Sequence, residues 1–505
     1  MPEISSTKKI AKNSIFLYIR MIIVMFISLI SVRLIFRELG VVDYGLYNAI
    51  GGVVTAMSFI TSVMASASQR YFAIGIAKGN LEEQKRNCCS VIMAFIVILI
   101  IGLLLIESIG LWFVVEKMNI LRDRYDACLW VFHLSAITLL IHLFATPFHS
   151  LIVAHEDMNL YAAVSIFDAI LKIGCVLLLS FGTFDKLIMY ALLMALESIV
   201  IFFIYFTVAI KKYPELKFKT SFEFARIKEI LSFSSWTLVG ALAGTATNQG
   251  TNIILNIFAG PIANAAFAIA NQVGVAINTC GFGFFNAVRP PLMKSYASGN
   301  HTNTLKLFNM SNKLLFILLM YAIVPLYICT PEILELWIGE NNTYTVSFTR
   351  IMILCVFVQC MGNPITTIIQ AADKVKIYHL LVDGVILVSI AVSYLLMHFA
   401  CNVHWILFVN LLFFIIGHFI RLYVLGKHTE INIQSYITRF LIPAIIIIII
   451  SIVCFKFLAQ SLSNNSIINI LLVTVFNFVY ITFTSYMFLM TNDERSYIIR
   501  TIKKI

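Results

Sequence analysis

Runs of about 20 mainly apolar residues, the length a membrane-crossing helix needs, recur from Ile15 to Met490 with only short polar gaps between them. The pattern predicts fourteen transmembrane helices, at approximately 13–34, 45–67, 90–115, 127–149, 160–181, 187–210, 231–256, 262–285, 312–330, 347–370, 377–399, 402–424, 437–459 and 467–490. The longest gaps, about 211–230 and 286–311, are too short for a separate soluble domain. The first run is longer than a signal-peptide core, and no small-residue cleavage site follows it, so it is expected to stay as a helix. The fold expected is an all-α polytopic membrane protein.

Composition agrees: 60% of the 505 residues are hydrophobic and 12% charged, against roughly a quarter charged in soluble chains. The formal charge of +11 would suggest nucleic acid in a soluble protein. Here the basic residues sit in the gaps between apolar runs, which is the pattern that orients membrane helices. With the N-terminus in the cytoplasm, 26 of the 36 Lys and Arg fall on the cytoplasmic side and eight outside, leaving Arg20 and Lys172 within helices. Fourteen helices and two cytoplasmic termini are mutually consistent, and no nucleic-acid partner is expected. The ten cysteines include no CxxC pair and lie mostly in apolar runs, so neither a disulfide framework nor a metal site is predicted. No phosphate-binding glycine loop is present, so direct use of ATP is not expected.

The chain repeats itself. Leu39-Gly40 through Ile50 aligns with Ala259-Gly260 through Ala270, and Gly79-Asn80 with Gly299-Asn300, both at an offset of 220 residues. Pro147, Ala154 and Tyr161 align with Pro364, Ala371 and Tyr378 at an offset of 217. Each repeat spans six helices. An even number returns the chain to its starting side, so the halves are parallel repeats. The expected division is an N-lobe over 1–215, a C-lobe over 216–428, and a helix pair with a cytoplasmic tail over 429–505.

The residues Arg37-Glu-Leu-Gly40-Val-Val-Asp43-Tyr44-Gly45-Leu-Tyr47 and Ser66-Ala-Ser-Gln69-Arg70, with Gly260-Pro261-Ile-Ala-Asn264-Ala-Ala-Phe267 and Ile269-Ala-Asn271-Gln272-Val273 in the second half, resemble the Wzx-type polysaccharide transporters of the MOP flippase superfamily. The resemblance covers the whole chain and rests on motifs that are mostly structural. It implies two pseudo-symmetric six-helix lobes and movement of an undecaprenyl-pyrophosphate-linked oligosaccharide across the bacterial inner membrane by alternating access, for O-antigen, capsule or exopolysaccharide synthesis. Membrane lipids and other polysaccharide-export proteins are the partners it implies, and it names no cofactor. A cation-coupled drug antiporter of the same superfamily is the nearest rival. A membrane-embedded polymerase or glycosyl transferase ranks lower, because no loop offers a catalytic constellation.

Several polar residues stand inside apolar runs and are the candidates for this work. Arg20 has no acid at i±3 or i±4, and a cation at mid-bilayer costs about 2.5–3.5 kcal/mol on insertion scales. It reads either as a phosphate contact or as half of a structural ion pair. Asp168 and Lys172, at i and i+4, share a helix face. They neutralise one another, or Lys172 reaches substrate while Asp168 sets its charge. Glu197 is an isolated central acid and, with Asp168, the candidate for coupling to a proton or sodium gradient; Glu107 lies later in its helix and is expected at the outer interface. Asn248, Asn252, Asn271 and Gln272, on the seventh and eighth helices with Asn256, Asn264 and several Ser and Thr residues, read as sugar-binding amides of a lumen or as glue between helices. Gly240 and Gly244 form a close-packing GxxxG there. Pro147 and Pro364 are expected to interrupt their helices at matching positions, and His418 and Arg421 to lie at an interface.

Overall fold

A computed structural model describes residues 2–181, 184–216, 223–339, 342–399, 402–429, 431–461, 466–491 and 494–495. The side chains of Ser232, Ser234, Ser235, Thr237 and Gly240 lie outside the described residues, as does Lys217. No strand occurs among the described residues. The chain is all-helical: α1 Pro2–Thr55, α2 Ser58–Lys78, α3 Leu81–Leu105, α4 Leu111–Lys117, α5 Tyr125–Ala154, α6 Met158–Leu179, α7 Lys186–Lys212, α8 Phe224–Ala297, α9 His301–Ile328, α10 Thr330–Ile338, α11 Thr343–Met361, α12 Asn363–Ala371, α13 Val375–Tyr378, α14 Gly384–His398, α15 His404–His428, α16 Ile433–Tyr436, α17 Ile442–Ser461 and α18 Ser466–Thr484.

Twelve helical stretches among the described residues are long and apolar enough to cross a membrane, two fewer than the sequence pattern predicts. Two of the twelve, Tyr18–Thr55 and Ala241–Phe285, each join segments that the pattern treats as separate helices. Each contains one glycine off the helical path: Gly40 at φ 73°, ψ 175° and Gly260 at φ 74°, ψ −171°. A β-carbon disfavours that backbone region, so glycine is the residue that lets the chain turn there.

The repeat is written in the backbone as well as in the sequence. Gly40 and Gly260 form one positive-φ pair, Gly79 (66°) and Gly299 (70°) a second, and Glu156 (58°) and Asp373 (55°) a third. The first two pairs keep the 220-residue offset and the third keeps 217. Asn80 and Asn300 follow the second pair, and each caps the next helix by accepting from backbone amides through its side-chain oxygen, at 3.0 Å from Glu82 N and 3.1 Å from Asn303 N respectively. Such caps satisfy donors that have no partner within the helix.

The prolines depart from that symmetry. Pro147 sits inside the unbroken α5, whereas Pro364 begins α12 after a break at Gly362. Proline is accepted in a first helical turn, where its missing N–H has no partner to lose; the matching position in α5 instead keeps the helix continuous.

The chain divides into two compact units, Met1–Ala268 and Ile269–Ile505. In the first, α5 packs against α1, α2, α3 and α7, and α6 lies against α1 and α7. Phe95, Phe132, Leu151, Leu179 and Leu187 are among its fully buried side chains. Gly45 faces Pro261 so closely that a β-carbon would fall within the Pro261 carbonyl oxygen. Gly45→Ala is therefore expected to destabilise the protein by about 1–3 kcal/mol through overpacking. Gly174→Ala, with no atom within 4 Å of its added methyl, is expected to leave stability unchanged or to raise it slightly. Thermal unfolding in detergent reads the difference, and equal midpoints for the two variants would exclude the close contact.

The second unit is built on α9, which touches α11, α17 and α18, with α15 packed on α11, α12 and α14. Buried Asn477 of α18 donates to the Met320 carbonyl of α9 at 3.1 Å, docking the last helix. His418 and Arg421 are buried rather than interfacial, each 7% exposed. Arg421 donates to the Tyr378 hydroxyl at 3.3 Å and lies over its ring, so the packed aromatic holds a cation that its place near a helix end had assigned to the surface.

Candidate functional site

The charged residues singled out in the first half come together along α6. Tyr161, Ser165, Asp168 and Lys172 follow one another at spacings of four, three and four, which places them on one face of that helix. α1 lies against this helix on one side and α7 on another.

Arg20, of α1, is half-buried and stacks its guanidinium carbon 4.3 Å from the centre of the Tyr161 ring. Among the described residues its Nε has no hydrogen-bond partner. A guanidinium over an aromatic face gains about 0.5–2 kcal/mol, less than the cost of holding the charge among apolar residues. His149 of α5 packs on the same tyrosine, ring centres 4.9 Å apart, and on Tyr205 of α7 at 5.6 Å.

Further along α6, Lys172 Nζ lies 2.9 Å and 3.0 Å from the two carboxylate oxygens of Asp168. The i, i+4 pair is therefore in contact. Glu197 of α7 is 3% exposed, one of its carboxyl oxygens has no hydrogen-bond partner among the described residues, and it is within electrostatic reach of Asp168. His142 of α5 is within electrostatic reach of both Asp168 and Lys172. Tyr205 is within electrostatic reach of both Asp168 and Arg20. His142, His149, Tyr161 and Tyr205 were not among the sequence candidates for the site. The signals were present: two histidines seven residues apart on one helix face, and a tyrosine at a repeat-equivalent position.

Beyond α6, the chain is tied by loop contacts. His155 hydrogen-bonds Glu215 and stacks on Tyr213, 4.3 Å between ring centres, while Lys212 Nζ pairs with Asp157 at 2.9 Å. Burial raises the Glu215 carboxyl, but the His155 hydrogen bond and its backbone amide together hold it below the usual carboxylate range.

The amides separate into two groups. Asn252 donates to the Asn48 carbonyl at 2.8 Å and accepts from Asn264 at 2.6 Å, Asn256 donates to Asn264 at 3.1 Å, and Asn119 N donates to Asn256 at 2.9 Å. Asn252, Asn256 and Asn264 are buried and hydrogen-bond one another, the geometry of glue between helices. Asn248 is half-buried on the same helix. Asn271 and Gln272, both half-buried, lie in the second unit. Glu107 is paired with His133 at 3.2 Å, both partly exposed. A cation not singled out in the sequence, Arg124, is bracketed by Asp43 and Asp185, with Nε 2.9 Å from Asp43 Oδ1; Asp185 also caps α7. Among the described residues no group of three metal-ligating side chains occurs.

Residues 10–297, more than half of the chain, match the family described as "Polysaccharide biosynthesis protein". The chain belongs to this family. No curated protein sequence matches it. Among solved structures, it is similar to the lipid II flippase MurJ in an inward closed conformation, with a TM-score of 0.66 at 14% identity over 94% of this chain and 99% of that one. A multidrug resistance MATE family transporter of the MOP superfamily, inward-facing, gives a TM-score of 0.64 at 13% identity over 82% of this chain and 98% of that one. A MOP superfamily transporter from Pyrococcus furiosus, with a binding pocket of reversed polarity, gives a TM-score of 0.54 at 12% identity over 84% of this chain and 96% of that one. The fold is the one these transporters and the lipid II flippase share.

Proposed function

We propose that the protein flips an undecaprenyl-pyrophosphate-linked oligosaccharide from the cytoplasmic to the periplasmic leaflet of the bacterial inner membrane by alternating access. The repeats over 1–215 and 216–428 act as its two halves, residues 429–505 are an appended helix pair and tail, and both termini are cytoplasmic. The observation that carries the reading is Arg20, a cation midway along the helical stretch from Pro2 to Gly40, held on Tyr161 with a donor unused. A guanidinium fork suits the oxygens of a phosphate. The polysaccharide family supplies the substrate class, and the likeness to a lipid II flippase supports a lipid-linked one. Lys172 is held by Asp168 and contributes field rather than direct contact. Asn248, Asn271 and Gln272 are the amides proposed to meet sugar hydroxyls.

Acidic side chains within membrane helices are the groups that carry protons or cations in transporters. The Asp168–Glu197 pair is therefore the proposed coupling site for a proton or sodium gradient. The same pair supports the second reading, a cation-coupled antiporter.

The test is reconstitution in liposomes carrying a fluorescent undecaprenyl pyrophosphate oligosaccharide in the inner leaflet. The protein is expected to expose the glycan to an external glycosidase. A protein that leaves the lipid-linked glycan in place but exchanges a hydrophobic cation for protons is the antiporter.

A further inference from the structure

We propose that a cavity in the second unit is a binding site for an anionic phospholipid of the leaflet it opens on, with the phosphodiester held by Lys306 and Arg439 and an acyl chain laid along Phe440 and Phe488. The cavity measures about 780 Å³ and is lined from α9, from residues 438–443 at the entry to α17, and from the residues that follow α18. That volume accommodates a headgroup and the first part of its chains, being in the range of small-molecule sites.

The charges in its lining are unequal in what they have left to give. Lys313 is buried and spent on Glu494, Nζ to Oε2 2.7 Å. Glu494 also accepts from Thr491 N at 2.8 Å, which ties the chain after α18 to α9. Lys306 and Arg439 are exposed at the cavity and have no ion pair among the described residues. Two free cations beside one neutralised pair suit a phosphodiester with a single charge. A pyrophosphate would bring further negative charge towards the Glu494 carboxylate. The walls between these groups are apolar, with Leu314, Pro443 and Leu489 added to the two phenylalanines.

A second, independent feature marks the place. The helices on two sides of the cavity both open into π turns there, Ile437–Leu441 and Ser485–Leu489. Such turns interrupt the regular helical hydrogen-bond ladder and are frequent at functional sites. In the first, the wider turn sets Arg439 outward while Phe440 is buried at 4% exposure. Basic pockets between helices at the cytoplasmic end of membrane proteins bind anionic headgroups, each Lys or Arg near the surface contributing about 1 kcal/mol. By the charge distribution of the loops this is the cytoplasmic end. A leaflet phospholipid is always at hand there, so even a weak site is filled by mass action. The lipid bridges α9 to the C-terminal helix pair where Lys313 and Glu494 already join them. None of this rests on the transport reading.

The experiment uses the full-length protein purified in detergent, read by native mass spectrometry and by thermal unfolding. The probes are dioleoyl-phosphatidylglycerol, dioleoyl-phosphatidylcholine, inorganic phosphate and undecaprenyl phosphate. Phosphatidylglycerol is expected to be retained and to raise the unfolding midpoint more than phosphatidylcholine does. Lys306→Ala and Arg439→Ala are each expected to weaken its retention about fivefold. Both side chains are exposed, so the unliganded midpoint should stay where it is. Equal retention of the two phospholipids, or undiminished retention by the double variant, overturns the proposal. A midpoint shift reproduced by inorganic phosphate makes the site one for free anions, and displacement of phosphatidylglycerol by an equimolar amount of undecaprenyl phosphate gives it to the carrier lipid; either result also overturns it.

Discussion

Arg20→Ala is expected to remove nearly all glycan export while leaving the protein inserted and folded. Two magnitudes separate the functional from the structural role. Removing the cation gives up its contact with Tyr161, about 0.5–2 kcal/mol. It also removes an insertion cost of about 2.5–3.5 kcal/mol, so stability should hold or rise. Loss of charge-assisted hydrogen bonds to a phosphate costs about 1.5–3 kcal/mol, which corresponds to roughly ten- to a hundredfold in substrate affinity. Arg20→Lys keeps the charge but loses the planar fork, and an intermediate defect is expected. The measurements are complementation of surface-glycan export, protein level in the membrane and the unfolding midpoint. Normal export by a well-inserted Arg20→Ala protein would refute the phosphate role. Export lost together with a fallen midpoint would make Arg20 a packing residue.

The second large effect is expected at Glu197. Glu197→Gln keeps the shape of the side chain but removes its titratable group. A protein that moves one proton per cycle gains about tenfold in accumulation for each unit of pH difference, since 1.4 kcal/mol is a factor of ten. The variant is expected to lose that gain and to keep downhill movement of substrate. Liposomes with a pH gradient and liposomes with a sodium gradient, assayed separately, identify which ion the pair serves. Asp168→Asn is a less clean probe, because it also leaves the half-buried Lys172 without its carboxylate. A Glu197→Gln protein that still responds fully to both gradients excludes the carboxyl pair as the coupling site.

Contacts within one helix are legible in the order of the residues. Asp168 and Lys172 are four positions apart, and helical geometry alone brings them together. Periodicity and length likewise suffice for the all-helical membrane architecture, and the offsets of 220 and 217 residues for the duplication that the positive-φ pairs repeat. Contacts between helices are not legible in this way. Asp168 meets Glu197, Arg20 meets Tyr161, and Arg124 meets Asp43 and Asp185 across gaps of many residues. Helices that are apolar on every side carry little signal of which face turns inward, so rotation about each axis is set by packing. For the same reason Asn252, Asn256 and Asn264 read equally as lumen or as glue from their positions, and it is their mutual hydrogen bonds that make them glue. That the chain crosses a membrane many times, is doubled and carries costly charges within its helices follows from its amino acids taken in order. Which of those charges face one another is settled in the folded molecule, because it depends on side-chain packing between helices far apart in the chain.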